Sequence, residues 1–94
     1  MKIYIAGPIS GYKNGNREAF TVAEEKLNQV SGNVILNPSK LPKGLSESEY
    51  MDICMAMIRC ADAIYLLNGW KASAGASAEY AIAYKLGLKI MIQN

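Results

Sequence analysis

Four short apolar runs recur along this chain at intervals that leave room for a helix between each pair. Each run is four to six residues long, and the first three stop at Gly-Pro, Asn-Pro or Asn-Gly. Short apolar runs closed by such residues are typical of strands buried in a sheet. The predicted strands are residues 2–6, 33–36, 62–67 and 88–92.

The three intervening segments have the apolar spacing of helices. Asn16 is placed to cap a first helix over 17–30. The apolar stripe of that helix consists of Phe20, Ala23, Leu27 and Val30. A Ser-x-x-Glu capping box opens a second helix over 47–60. A third helix is predicted near 75–86, after a loop rich in Gly, Ala and Ser.

Strands that alternate with helices predict right-handed crossovers and a mostly parallel sheet. We expect one domain over residues 1–94, an α/β three-layer sandwich with strand order 2-1-3-4, as in flavodoxin-like and Rossmann-like folds. Ligands of such sheets bind beyond the carboxyl ends of the strands, where the strand order reverses. That point lies between the first and third strands, so loops 7–15 and 68–75 form the predicted site.

The chain contains no histidine, which excludes Ser-His and Cys-His catalysis and histidine-based zinc sites. Its net charge of +2 includes no long basic run, so we expect no nucleic-acid partner. No apolar stretch approaches the roughly 20 residues that span a bilayer, and the N-terminus lacks a signal-peptide pattern. We therefore expect a cytoplasmic protein that uses neither a metal nor a cofactor and does not bind a membrane.

The first loop of the predicted site reads Gly-Pro-Ile-Ser-Gly. Gly7 and Gly11 allow a ligand to approach the backbone closely, and the amides around Ser10 could hold an anion. The alternative interpretation is an ordinary glycine turn.

The second loop leads into the third helix. Ser73 and Gly75 lie at the predicted helix start, which favours phosphate or carboxylate groups. Ser73 is equally placed to be a structural N-cap. Trp70, the only tryptophan, either covers a planar base or packs as an anchor.

Glu79 is predicted to share the apolar face of the third helix. The other members of that face, three to seven residues further on, are Ile82, Ala83 and Leu86. A carboxylate placed there loses solvent, which raises its pKa; the alternative is that Glu79 complements the helix dipole. Tyr4 lies on the first strand, and its hydroxyl needs a partner, either Glu79 or a backbone group.

The predicted helix over 47–60 has apolar residues on most of its faces, which indicates burial on both sides. In a chain this small we interpret that as a subunit interface of a homo-oligomer. Cys54 and Cys60 are six residues apart on this helix, so they point in different directions and cannot pair. We interpret both as small buried apolar residues, with a reactive thiol as the alternative.

Two stretches carry a distinctive pattern, KIYIAGPISGY near the start and ADAIYLLNGWKASAGASAEYAIAYKLGLKI near the end. They resemble the nucleoside 2-deoxyribosyltransferase-like superfamily, and its small bacterial and phage members in particular. The resemblance implies a glutamate that attacks the sugar's anomeric carbon and forms a covalent glycosyl-enzyme, which a second nucleobase or water resolves. Glu79 matches that glutamate, and Tyr4 matches the tyrosine that orients it. Ser73 matches a serine that helps hold the 5′-phosphate in nucleotide-hydrolysing relatives.

One position departs from the family. Its members usually carry an aspartate on the second helix that contacts the sugar or protonates the base, and here that position is Cys54. Asp52 lies two residues earlier, about 200° round the helix. Three explanations are open: the register of the second helix shifts relative to the family, Asp52 substitutes for the family acid, or the acid is missing.

Three functions are consistent with the sequence. The first is cleavage or transfer of the N-glycosidic bond of (deoxy)nucleosides or nucleotides, with Glu79 and Tyr4 as the catalytic pair. The predicted substrate-binding residues are Gly7, Ser10, Gly11, Trp70, Ser73 and Gly75. The second function is a non-catalytic nucleotide-binding module, which Cys54 favours. The third is an interaction protein that acts through its methionine-rich helix.

Overall fold

The structure, a computed structural model that describes residues 1–94, is a sheet between two layers of helices. Its strands are Lys2–Ala6 (β1), Val34–Leu36 (β2), Ala63–Leu66 (β3) and Lys89–Ile92 (β4). Its helices are Arg17–Leu27 (α1), Glu47–Cys60 (α2) and Ala74–Lys85 (α3). The predicted α/β three-layer sandwich is confirmed. No helix has the length and apolar character needed to cross a membrane.

The strands lie in the order β2-β1-β3-β4, and all neighbours are parallel. Ile3 pairs with Ile35 on one side and with Ala63 on the other, so β1 has a partner along both edges. The order reverses between β1 and β3, as predicted. Their carboxyl ends are therefore the position where such sheets bind ligands.

The two faces of the sheet pack against different helices, because side chains alternate along a strand. Ile3 and Ile5 face α1 and pack with Phe20. Tyr4 points to the opposite face and packs in a second cluster with Ile58 of α2. Each fully buried Ile or Phe side chain contributes about 1.5–3 kcal/mol. The central strands therefore hold helices on both faces, and Tyr4 lies on the side of α2 and α3.

The capping box at the start of α2 is confirmed. The Glu49 amide donates to Ser46 Oγ at 3.2 Å, and the Ser46 amide donates to Glu49 Oε1 at 2.7 Å. These bonds satisfy two backbone donors that no helical carbonyl can reach. A cap of this kind contributes about 1 kcal/mol and fixes where the helix begins.

The start of α1 differs from the prediction. Asn16 does not cap the helix, because its backbone is left-handed, with φ at 61°. Its side-chain amide instead donates to the carbonyl oxygen of Pro8 at 3.0 Å. Asn14 and Gly15 are left-handed as well. Residues 14–16 therefore form a left-handed turn that joins the first loop to α1.

The end of α1 also differs, since the predicted helix over 17–30 is too long. The helix stops at Leu27, whose carbonyl accepts a 3.0 Å hydrogen bond from the side-chain amide of Asn33. Val30, predicted on the apolar stripe, is 62% exposed. The side chain of Asn33 thus donates to the last carbonyl of the helix, at the point where the chain turns back toward β2.

Within the single chain, α2 packs on one face. Ile58 is its only fully buried residue, while Met51 is 46% exposed. The reason is that the sheet and α3 cover one side of the helix only. Cys60 is exposed, so its interpretation as a buried residue is wrong, and Cys54 is half-buried. Self-association through α2 stays a prediction.

Candidate functional site

A cavity of about 800 Å³ opens where β1 and β3 end. The loop after β1, the segment after β2, one side of α2 and the first turns of α3 form its walls. Five of the residues predicted at the site line it, namely Gly7, Ser10, Ser73, Gly75 and Glu79. The volume lies in the range of small-molecule sites.

Glu79, which lines the cavity, is hydrogen-bonded to Tyr4. The Tyr4 hydroxyl donates a 2.7 Å hydrogen bond to Glu79 Oε2. Tyr4 is fully buried on β1, and Glu79 lies one turn into α3 with Ala83 buried four residues later. Leu86, predicted on the same face, is 49% exposed at the helix end. The sheet-facing position expected for Glu79 is thus observed, and its carboxylate is held from the central strand.

The surroundings of Glu79 and Tyr4 shift the pKa values of both side chains. Burial raises the pKa of Glu79, and hydrogen bonding to Tyr4 and Cys54 offsets only part of that effect. Burial, then the nearby Glu79 charge, raises the pKa of Tyr4 far above its usual range. Tyr4 therefore remains a neutral hydroxyl that donates to the carboxylate at any ordinary pH.

The start of α3 borders the cavity. Ser73 is its N-cap, and its Oγ accepts a hydrogen bond from the Ala76 amide at 3.2 Å. The Ser77 hydroxyl donates to the Trp70 carbonyl at 3.2 Å, which ties the preceding loop to the helix. No atom lies near the position that a side chain at Gly75 would take. Ser73 therefore has the structural N-cap function, and Gly75 leaves open space at the helix N-terminus.

Gly7 lies where β1 and β3 leave the sheet side by side. A Cβ atom at this position would be 2.7 Å from Leu67 Cδ1 and 2.8 Å from Leu67 Cβ. Such distances are far inside van der Waals contact. Glycine is therefore required for the first loop to pass Leu67 on its way into the cavity wall.

Two predicted substrate-binding residues do not line the cavity. The Trp70 ring packs on Tyr80, with ring centroids 4.9 Å apart, and joins the cluster on the α2 and α3 side. Its observed environment is that of a packing anchor. Gly11 is a left-handed turn residue, with φ at 82° and open space around it. Its contribution is to the conformation of the loop.

α2 presents a thiol to the catalytic pair predicted above. Cys54 lines the cavity beside Glu79 and Tyr4, and burial raises the pKa of its thiol. Asp52 is exposed and does not line the cavity. No aspartate of α2 therefore reaches Glu79, and Cys54 occupies the position facing it.

The cavity wall formed by the segment after β2 was not predicted from the sequence. Asn37, at the end of that strand, is the only buried polar residue. Its side-chain amide donates to Glu24 Oε1 at 2.9 Å, and its Oδ1 accepts from the Ser39 amide at 2.9 Å. Lys40 Nζ pairs with Glu24 Oε2 at 2.7 Å. This cluster fixes the segment that follows, which lines the cavity with Pro38, Ser39, Leu41, Lys43 and Leu45.

Arg17 also lines the cavity and was not predicted. It is the first residue of α1, directly after the left-handed turn at 14–16. The consecutive Asn-Gly-Asn residues were the sequence signal for such a turn, because these residue types tolerate positive φ best.

Together, these features define a doubly wound α/β protein with a tyrosine-held carboxylate in a cavity at the point where strand order reverses. The family model described as "Domain of unknown function (DUF4406)" matches residues 1–92, and the chain belongs to this family. No curated protein sequence matches the chain.

The structure is similar to that of a 2-desoxiribosyltransferase from Leishmania mexicana, with a TM-score of 0.78 at 21% sequence identity. The similarity covers 97% of this chain and 62% of the other, so the chain spans less than two thirds of that protein's length. The predicted nucleoside 2-deoxyribosyltransferase-like fold is thereby confirmed.

Proposed function

We propose that this protein cleaves or transfers the N-glycosidic bond of (deoxy)nucleosides or nucleotides, with Glu79 as the nucleophile. The observation that carries the proposal is the 2.7 Å hydrogen bond from Tyr4 to Glu79 Oε2 at the edge of the cavity. Tyr4 engages Oε2, and in the proposed reaction Oε1 attacks the sugar carbon. A carboxylate held in this way suits attack on an oxocarbenium-like centre.

The reaction begins when Glu79 Oε1 attacks the anomeric carbon. A bond forms between that oxygen and the carbon, and the bond from the carbon to the base nitrogen breaks. The departing nitrogen keeps the electron pair and takes a proton from water. The product is an ester between Glu79 and the sugar.

In the second half, water or another nucleobase attacks the same carbon. The ester bond breaks, and its electron pair returns to Glu79 as the free carboxylate. The attacking group loses a proton to the solvent. Water gives a free sugar, and a nucleobase gives a new nucleoside, so two inversions retain the configuration at the anomeric carbon.

The test is Glu79→Gln. The glutamine keeps an oxygen for Tyr4 but is not a nucleophile, so release of free base from a panel of deoxynucleosides and deoxynucleotides should fall by about 10³-fold or more. Glu25→Gln, on an exposed position of α1, is the matched control and should retain activity. Base release by Glu79→Gln at the unaltered rate would contradict the mechanism. Intact-mass spectrometry of the unaltered protein should detect the glycosyl ester.

A non-catalytic nucleotide-binding module is the second candidate. The observation that favours it is that Cys54 faces Glu79 while Asp52 is exposed, so α2 supplies no carboxylic acid to protonate a leaving base. Calorimetric binding of a nucleotide without release of base over hours would select this candidate over the enzyme.

A further inference from the structure

We propose that a recess lined by Lys13, Arg17 and Lys43 binds a phosphate group of the ligand, so that the substrate is a nucleotide rather than a free nucleoside. The inference rests on the proposed function, because it places the sugar of the same ligand at Glu79. The recess has a volume of about 580 Å³ and adjoins the cavity already described. We call it the cationic recess.

The cationic recess carries a net positive charge. Lys13, Arg17 and Lys43 line it together with a single carboxylate, that of Glu18. None of the three cations forms an ion pair, since the two salt bridges of the protein use Lys2 and Lys40. Three unpaired cations, Lys13 and Arg17 around the start of α1 and Lys43 from the segment after β2, attract an anion to the space between them.

One ligand can occupy the recess and the cavity at the same time. Arg17, Lys43, Tyr12 and Asn14 line both spaces, so the recess and the cavity are direct neighbours. The cavity beyond them also contains the carboxylate of Glu79. An anionic group is therefore attracted to the recess and repelled from Glu79, which orients a nucleotide with its phosphate outward.

The backbone that forms the recess is in an uncommon conformation. Asn14 and Asn16 have φ values of 52° and 61°, in the left-handed region that residues with a side chain rarely adopt. The bond from Asn16 to the Pro8 carbonyl holds this turn in place. Lys13 and Arg17 lie at its two ends and both line the recess.

The hydrogen-bond donors that line the cationic recess suit a phosphate group. The planar guanidinium of Arg17 can donate two parallel hydrogen bonds to phosphate oxygens, while the lysines act as mobile point charges. The side chains of Tyr12 and Asn14 add neutral donors at the junction with the cavity. Free inorganic phosphate presents the same oxygens, so the experiment must separate it from a nucleotide.

The test measures binding by calorimetry in the Glu79→Gln background, where the ligand is not consumed. The ligands are the four 2′-deoxynucleosides, their 5′-monophosphates and inorganic phosphate. For at least one base the monophosphate should bind about tenfold or more tightly than the nucleoside. Arg17→Gln and Lys43→Gln should each remove most of that preference, because they should lower monophosphate affinity far more than nucleoside affinity. Lys26→Gln, an exposed cation at the other end of α1, is the control and should change neither.

Equal binding of nucleoside and monophosphate, or a preference that survives both substitutions, would overturn the inference. Inorganic phosphate that binds as tightly as the nucleotides would also overturn it, since the recess would then be a free-anion site. If the unaltered protein releases base from nucleosides without any phosphate preference, the proposed function stands and the inference fails. If the preference depends on Arg17 and Lys43 but no base is released, the glycosidic step fails and the phosphate site stands. Absence of binding by every ligand contradicts both.

Discussion

The Tyr4 hydroxyl and Glu79 Oε2 lie 2.7 Å apart, although 75 positions separate the two residues in the chain. Tyr4 belongs to the central strand and is fully buried, so it has little freedom to move. The sheet therefore sets the position of a carboxylate that α3 alone would leave mobile.

Tyr4→Phe removes the only hydroxyl that holds Glu79. The carboxylate loses a donor while it stays partly buried, so the free energy of unfolding should fall by about 1–2 kcal/mol. Because the Tyr4 bond lowers the pKa of Glu79, its loss should raise that pKa further and move the acidic limb of the pH–rate profile to higher pH. Urea unfolding and a pH series of base release measure the two effects.

Tyr65→Phe is the matched control. Tyr65 lies on β3, is nearly buried and faces the α1 side, where its hydroxyl has no protein partner. This substitution should change stability by less than about 0.5 kcal/mol and leave the pH–rate profile in place. A shift of the acidic limb in Tyr65→Phe, or none in Tyr4→Phe, would contradict the role given to the bond.

The raised pKa of Glu79 predicts a specific dependence of stability on pH. The native state binds the Glu79 proton more tightly than the unfolded state does, so this group's stabilising contribution is complete below its ordinary pKa of 4.5. It is lost as pH rises from 4.5 through the raised value. The stability of the unaltered protein relative to Glu79→Gln should therefore decrease as pH rises. Urea denaturation across a pH series measures the difference.

Glu24 should show the opposite dependence. Its pKa is lowered, because hydrogen bonds from Lys40 and Asn37 and the Lys40 charge outweigh the effect of burial. The stability gained from Glu24 is present above its ordinary pKa and lost as pH falls through the lowered value. Stability relative to Glu24→Gln should therefore decrease toward acid. Slopes of the same sign for the two glutamates would contradict the assignment.

Much of the fold could be predicted because its signals are local. The four apolar runs and their closing residues predicted the strands, right-handed crossovers predicted a mostly parallel sheet, and the flavodoxin-like arrangement predicted the strand order. The predictions were wrong where contacts between residues distant in the sequence determine the local structure. Asn33 ends α1 by taking the Leu27 carbonyl, and Asn16 bonds back to Pro8 instead of capping the helix. Neither hydrogen bond produces a periodic pattern in the sequence, so neither could be predicted from it.

The candidate site was likewise predicted in part: the residues with a periodic signal could be placed, and the others could not. Helical spacing placed Glu79 on the sheet side. Alternation along β1 placed Tyr4 on the face opposite Ile3 and Ile5, and left Glu79 or a backbone group as the partner of its hydroxyl. For Trp70, the sequence left two interpretations, and only its packing on Tyr80 decides between them. The wall after β2 could not be predicted, because an irregular segment has no periodicity and its anchor, Asn37, depends on a glutamate from another helix.

Asn37→Ala should weaken both the fold and the site. The substitution leaves the Ser39 amide without its acceptor and removes one of the two partners of the Glu24 carboxylate, which keeps Lys40, at a cost of about 1–3 kcal/mol. Because the same residue anchors the cavity wall, ligand affinity should fall as well. Chemical unfolding and calorimetry measure the two effects. Asn28→Ala, at an exposed position where the side chain makes no hydrogen bond, should alter stability by less than about 0.5 kcal/mol.

Gly7→Ala and Gly75→Ala form a matched pair within the cavity wall. At Gly7 the added Cβ would meet Leu67 at 2.7 Å, so the loop after β1 must shift, at a cost of about 1–3 kcal/mol. At Gly75 the added Cβ meets no atom within 4 Å and lies in the first turn of α3, where alanine is favoured by less than the roughly 1 kcal/mol of a helix interior. Thermal unfolding should therefore move in opposite directions for the two variants. A destabilised Gly75→Ala, or a Gly7→Ala as stable as the unaltered protein, would show that the close approach to Leu67 does not decide which glycine the fold requires.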